Sequence, residues 1–222
     1  MNIKNLDSCE TVLELFENVD GIIAAPPCTD FAVSGAQFWK AKDEDGRTKE
    51  AIELVRQVIR LVDLFKPTDP DFYNEGGTFF WAVENPVGRI GKLIPELGNP
   101  FYFHPHEYAG HLNLSAKNLK RLDNLRKQEG ENITKDDADF IQRCNAYTKK
   151  TGLWGEFDKD KLTQLKKNIQ PVKACKQGSV TQRAGGKSAA TKEYRSNTPL
   201  GFAHAFYQAN QNYKITEPLC TH

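Results

Sequence analysis

Gly21-Ile22-Ile23-Ala24-Ala25-Pro26-Pro27-Cys28-Thr29-Asp30-Phe31 is an apolar run that stops on two prolines and a thiol. Trp81-Ala82-Val83-Glu84-Asn85-Pro86 repeats the form, stopping on a carboxylate, an amide and a proline. Between them Ile52, Val55, Ile59, Val62 and Phe65 recur at three- and four-residue spacing and Pro67 follows, which predicts an amphipathic helix. Compact apolar runs bounded by glycine and proline fit buried strands of a parallel sheet, here over Asp20–Ala25 and Thr78–Val83. Strand, helix, strand is then a crossover unit whose two turns emerge at one edge. Ligands of parallel α/β sheets bind beyond the carboxyl ends of the strands, so Cys28 and Glu84 are the candidate reactive groups.

Pro26 and Pro27 fix their own φ angles and hold the residue before them extended, so the first strand ends abruptly before Cys28. A thiol on such a turn is held in place, and a cationic neighbour would make its thiolate a strong nucleophile. The plainer reading is a buried, inert cysteine. Glu84 marks either the point where a strand meets water or a carboxyl whose burial beside Trp81 lets it keep a proton near neutral pH. Asn85, held extended by Pro86, is placed to hydrogen-bond the cysteine loop across the strand ends.

The composition bounds the class. A chain of 222 residues with 39% hydrophobic and 27% charged residues suits one soluble domain with a sizeable core. Net charge of +1 excludes a uniformly basic surface, so nucleic-acid binding would need a local patch. Cys9, Cys28, Cys144, Cys175 and Cys220 are odd in number and scattered, without a Cys-x-x-Cys pair, which argues against a disulfide framework or structural zinc. His104 and His106 flank Pro105 as a conceivable chelate, with solvated loop histidines as the simpler account, and no metal is expected. Met1–Asp7 has no apolar signal core and no stretch is long enough to span a bilayer, so a cytoplasmic, membrane-free protein is expected.

Elsewhere, Glu10–Phe16 fits a short helix, Lys40–Arg47 is a polar stretch and Asp69–Gly77 is turn-rich. Residues 111–147 read as an exposed helical insertion, with Leu119, Leu122 and Leu125 at helical spacing and Thr134-Lys135-Asp136-Asp137 as a cap. Thr151–Phe157 returns the chain to the sheet. Residues 176–197 form a flexible basic loop carrying Arg183, Lys187, Lys192 and Arg195, either a nucleic-acid contact or a solvated linker. Pro199 opens a last helix with Thr198 as N-cap and Phe202, Ala203 and Phe206 as its apolar face.

Taken together these motifs resemble the cytosine-5 DNA methyltransferases, particularly the short forms of phage genomes. Pro26-Pro27-Cys28-Thr29-Asp30-Phe31 resembles that family's Pro-Cys motif, Glu84-Asn85-Pro86 its Glu-Asn-Val motif, and Ser196-Asn197-Thr198-Pro199 its closing motif beside the methyl donor. The resemblance runs from about Asp20 to Asn210, dense at the motifs and thin between them. It implies an incomplete Rossmann-like α/β sheet with a helical insertion, S-adenosylmethionine as cofactor and DNA as partner, in the host cytoplasm if phage-encoded. Cys28 would add to carbon 6 of a flipped cytosine and Glu84 would act on ring nitrogen 3. Pro27, Phe31, Asn85 and Lys149 would support them, Asn197 and Thr198 would contact the donor, and Arg183, Lys187, Lys192 and Arg195 the DNA.

The chain departs from the pattern in two places. Leu13-Glu14-Leu15-Phe16 stands where a first strand is expected, but Glu17-Asn18-Val19-Asp20 supplies no glycine turn, so the donor half of the site is expected from a missing N-terminal half or a separate subunit. Tyr147-Thr148-Lys149-Lys150-Thr151 stands where the family has two arginines, and Lys149 supplies charge without a bidentate fork. The competing expectation is a catalytically inactive, methyltransferase-like nucleic-acid-binding protein. A cysteine hydrolase is weaker, because His204, on the last helix, is in no recognisable motif with Cys28.

Overall fold

Strand β1 (Gly21–Ala24) lies parallel to β2 (Phe80–Pro86), with Gly21 opposite Phe80 and Ala24 opposite Val83. The computed structural model describes residues 19–112, 146–171 and 198–213. Glu10–Phe16, most of the expected helical insertion (113–145) and the whole of the expected basic loop (176–197) lie outside the described residues. Strands β3 (Phe101–Phe103) and β4 (Thr151–Glu156) complete a four-stranded sheet in the order β1-β2-β4-β3. β4 runs antiparallel to β2, from Trp81 opposite Glu156 to Pro86 opposite Thr151. The protein is therefore mixed α/β, and Thr151–Phe157 does return the chain to the sheet.

The chain divides into two compact units, residues 1–102, 150–159 and 210–222 forming the first and residues 103–149 and 160–209 the second. In the first unit, helix α1 (Trp39–Glu44) precedes α2 (Arg47–Phe65), which supplies the crossover between β1 and β2. Val55, Val58 and Val62 of α2 are buried, and each such side chain contributes about 1.5–3 kcal/mol on leaving water. Val55 and Val58 join Phe31, Val83, Ile90, Ile94, Leu97 and Trp154 in one core cluster, against which Ile52 and Ile59 also pack. Lys66, just past α2, grips both carboxylate oxygens of Glu156 at 2.9 and 2.7 Å, tying the helix end to the end of β4. Short helices α3 (Pro70–Asn74) and α4 (Ile90–Leu93) flank β2.

Three local expectations change. Lys40–Arg47, read as a polar stretch, is mostly α1, and Lys42 within it is buried. Among the described residues β1 stands at the edge of the sheet beside β2 rather than buried, and its Ile23 is 61% exposed. β3 was not anticipated, because an element of three residues between Pro100 and Pro105 carries too little periodicity to read.

β4 can lie against β2 only because residue 155 is glycine. Gly155 has φ of +137°, and a Cβ there would stand 2.2 Å from the Trp81 carbonyl oxygen. Both the conformation and the space exclude a side chain.

The second unit includes α5 (Lys159–Gln164) from Asp160 onward and α6 (Leu200–Asn210) up to Ala209. The buried face of α6 is Phe202, Ala205, Phe206 and Ala209, whereas Ala203 is exposed. The first helical bond runs from Ala203 N–H to the Pro199 carbonyl at 2.9 Å, which puts the cap at Pro199 rather than at Thr198. Phe202 stacks on Phe103 with centroids 3.7 Å apart, and the Tyr108 hydroxyl donates to the Leu162 carbonyl at 3.0 Å. His104 and His106 are half-buried rather than solvated, with ring centroids 5.6 Å apart.

His111 gives this unit a pH dependence. It is buried and its Nε2 donates to the Leu165 carbonyl. Burial chiefly, with Lys167 and His204, holds its pKa below the ordinary 6.5 against the raising effect of the Leu165 bond. The imidazole is thus neutral when folded, while the unfolded chain takes up a proton near pH 6.5. Its stabilising contribution is complete above that pH and is lost as pH falls from 6.5 through the lowered folded value, at no more than about 1.4 kcal/mol per pH unit. Urea unfolding between pH 7.5 and 5.0 should show wild type losing more stability than His111→Gln, and parallel losses would contradict this.

Candidate active site

The parallel pairing of β1 and β2 sets the segments that follow Ala24 and Val83 side by side, but β2 does not end at Val83 as expected and runs on through Glu84 and Asn85 to Pro86. Cys28 opens a 3₁₀ turn (Cys28–Asp30) and is a half-buried free thiol. Pro27, at φ −51° and ψ 120°, enters that turn in non-helical conformation, its φ restricted by its ring. The Cys28 carbonyl accepts from Phe31 N–H at 3.1 Å and Ala32 N–H at 2.8 Å, closing the turn. Phe31, fully buried, sinks into the core cluster and anchors the far end.

Asn85 makes the expected link, its Nδ2 donating to the Pro26 carbonyl at 3.1 Å from a fully buried position. Beyond it the two turns join like a short antiparallel ladder. Val33 N–H donates to the Val87 carbonyl at 3.1 Å, Arg89 N–H donates to the Phe31 carbonyl at 2.9 Å, and Ala32 and Gly88 form the bridge between them. A Cβ on Gly88 would meet the Phe31 carbonyl oxygen at 1.9 Å, so the contact depends on that residue having no side chain.

Glu84 is half-buried near the carboxyl end of β2, opposite Leu153 of β4 and adjacent in sequence to Asn85. Strand alternation places Trp81, Val83 and Asn85 on the core-cluster face and Glu84 with Ala82 on the other. Glu84 therefore does not sit beside Trp81 as the sequence suggested, because residues three apart in a strand face opposite ways.

The structure thus brings Pro27, Cys28, Phe31, Glu84 and Asn85 to one end of one unit. Lys149, half-buried, and Thr198, exposed, belong to the second unit. Asn197, Arg183, Lys187, Lys192 and Arg195 lie outside the described residues.

Sequence reasoning passed over the cations around the Cys28 turn. Lys42 of α1 donates to the Thr29 carbonyl and pairs with the Asp30 carboxylate at 3.2 Å. Thr29 Oγ1 donates to the same carboxylate at 2.9 Å. Arg89, just before α4, donates from Nε to the Asp30 carbonyl at 2.9 Å. The only available signal was a lysine amid apolar Trp39 and Ala41 and an arginine close behind Glu84-Asn85-Pro86.

Among the described residues, no cluster of histidine, cysteine or acidic side chains is arranged to hold a metal, and no helix is long and apolar enough to cross a membrane. No protein-family model matches the chain, and no curated protein matches it either.

Proposed function

We propose that this chain is the catalytic region of a DNA cytosine-5 methyltransferase. The observation that carries the reading is the pair of parallel strands β1 and β2, of which the first leads into the turn of Cys28 and the second carries Glu84 near its carboxyl end, fastened together by Asn85 to Pro26. A thiol and a carboxyl on one rigid edge suit covalent addition to an electron-poor ring with a hydrogen bond to a ring nitrogen.

The Cys28 thiolate forms a bond to carbon 6 of a cytosine turned out of the helix, and the carbon 5–carbon 6 double bond gives its electrons to the ring. Glu84, protonated, donates to nitrogen 3 and carries that charge. Carbon 5 is then nucleophilic and takes a proton from water; loss of its original proton, expulsion of the thiolate and return of the nitrogen 3 proton to Glu84 restore the ring with its carbon-5 hydrogen exchanged. Flipping is required because a stacked base hides both carbons. S-adenosylmethionine supplies the methyl group in this reading. Thr198, the one described residue expected beside that donor, is exposed and in the second unit. The described residues do not assemble a fit for the donor.

The acceptor chemistry is testable without the donor. Reversible addition of Cys28 lets carbon 5 exchange its hydrogen with water, so DNA tritiated at cytosine carbon 5 should release label to solvent on incubation with the purified chain. Cys28→Ala should reduce release to the uncatalysed level and Glu84→Gln should slow it about 100-fold. No release by wild type, or release that persists in Cys28→Ala, would overturn the reading.

A further inference from the structure

We infer that Lys42 and Arg89 are positioning residues for Cys28, two cations from different elements that hold its turn by the two backbone carbonyls after the thiol. The part concerning turnover rests on the reading above. Each of the three carbonyls of the turn has a partner. That of Cys28 takes the Phe31 and Ala32 amides, that of Thr29 takes Lys42, and that of Asp30 takes Arg89.

The two cations are themselves fixed. Lys42 and Asp30 pair with side chains only 10% and 14% exposed. A lysine is rarely so buried unless its charge is used, because desolvating it costs several kcal/mol. Arg89 is held on its far side by Asp43 of α1 at 2.9 Å, by the Thr48 hydroxyl of α2 at 2.8 Å and by the Trp39 ring, 4.7 Å from its guanidinium carbon. Helices α1 and α2 are thereby coupled to the residues beside the thiol. A nucleophile must be held to about half an ångström to attack productively, and two charge-assisted bonds on consecutive carbonyls impose such a constraint.

The test uses the full chain as wild type, Lys42→Met and Thr48→Val, with two readouts. One is the kcat and KM of carbon-5 label release from DNA, and the other is residue-resolved amide hydrogen exchange. Lys42→Met should lower kcat about 100-fold with KM for DNA within about twofold, as expected for a nucleophile misplaced by about 1 Å. The Phe31 and Ala32 amides should exchange at least about tenfold faster while those of Val58 and Val62 in α2 are unchanged. Thr48→Val, which removes one hold on Arg89, should show the same pattern at about fivefold. If Lys42→Met does not fold, Thr48→Val decides by the same readouts. Unchanged exchange at Phe31 and Ala32, or acceleration equal to that at Val58 and Val62, would overturn the inference, as would a rise in KM with kcat intact. If wild type releases no label, the methyltransferase reading fails, and the exchange comparison alone decides whether the cations hold the turn.

Discussion

Gly88→Ala should destabilise the first unit by about 3 kcal/mol and slow carbon-5 label release about 100-fold. The added Cβ would stand 1.9 Å from the Phe31 carbonyl oxygen, 2.7 Å from its carbon and 2.9 Å from the Ala32 Cα. All three are backbone atoms, so no side-chain rotation relieves the overlap. The clash lies between the two bonds that join the turns, Val33 to Val87 and Arg89 to Phe31. Opening either one moves Phe31, and Phe31 N–H closes the Cys28 turn. Gly91→Ala is the control, because its Cβ would meet Trp154 Nε1 at an ordinary 3.5 Å, and alanine is the better helix former. Denaturant unfolding with label release checks both variants. Stability and rate in Gly88→Ala matching those of Gly91→Ala would show that the two turns are not in register as described.

The parts of this site that could be read in the sequence are those set by local chemistry. Pro26 and Pro27 end a strand wherever they occur, and the spacing of Ile52, Val55, Ile59 and Val62 makes a helix face without reference to anything distant. Asn85 could be placed because Pro86 fixes its backbone. Lys42 and Arg89 could not, because each is defined by partners far along the chain. A lysine in a charged stretch reads as solvated until Asp30 is folded against it. Gly88 likewise reads as a turn residue, and only the approach of Phe31 shows that it is there for lack of a side chain. The close pairing of β4 with β2 was hidden for a related reason, since it depends on residue 155 having no side chain beside the Trp81 carbonyl.

Asn85→Asp should cost about 3–5 kcal/mol at neutral pH, and most of that loss should disappear in acid. Asn85 is fully buried, and its Nδ2 is the donor to the Pro26 carbonyl at 3.1 Å. Its Oδ1 has no hydrogen-bond partner among the described residues, so no donor waits to neutralise a second oxygen. An ionised carboxyl there would set acceptor against acceptor and bury a charge without a counter-ion. Burial, and then the facing carbonyl, raise the pKa of the introduced carboxyl above its unfolded value of about 3.9. The folded variant therefore binds more protons than the unfolded one between those two values, and its stability falls as pH rises through that window. Below about pH 4 the protonated carboxyl can donate to Pro26 in place of the amide. Acid unfolds proteins for other reasons, so the quantity to follow is the difference between variant and wild type in urea unfolding at each pH. That difference should be smallest near pH 4, widen upward and level off above the raised pKa. Asn85→Ala, which loses the bond without adding a charge, should give a pH-independent loss of about 1–3 kcal/mol. A flat difference for Asn85→Asp would mean that the amide does not face Pro26. Among the described residues, the strands leading to Cys28 and Glu84 would then be held together by the β1–β2 pairing and by the Val33–Val87 and Arg89–Phe31 bonds.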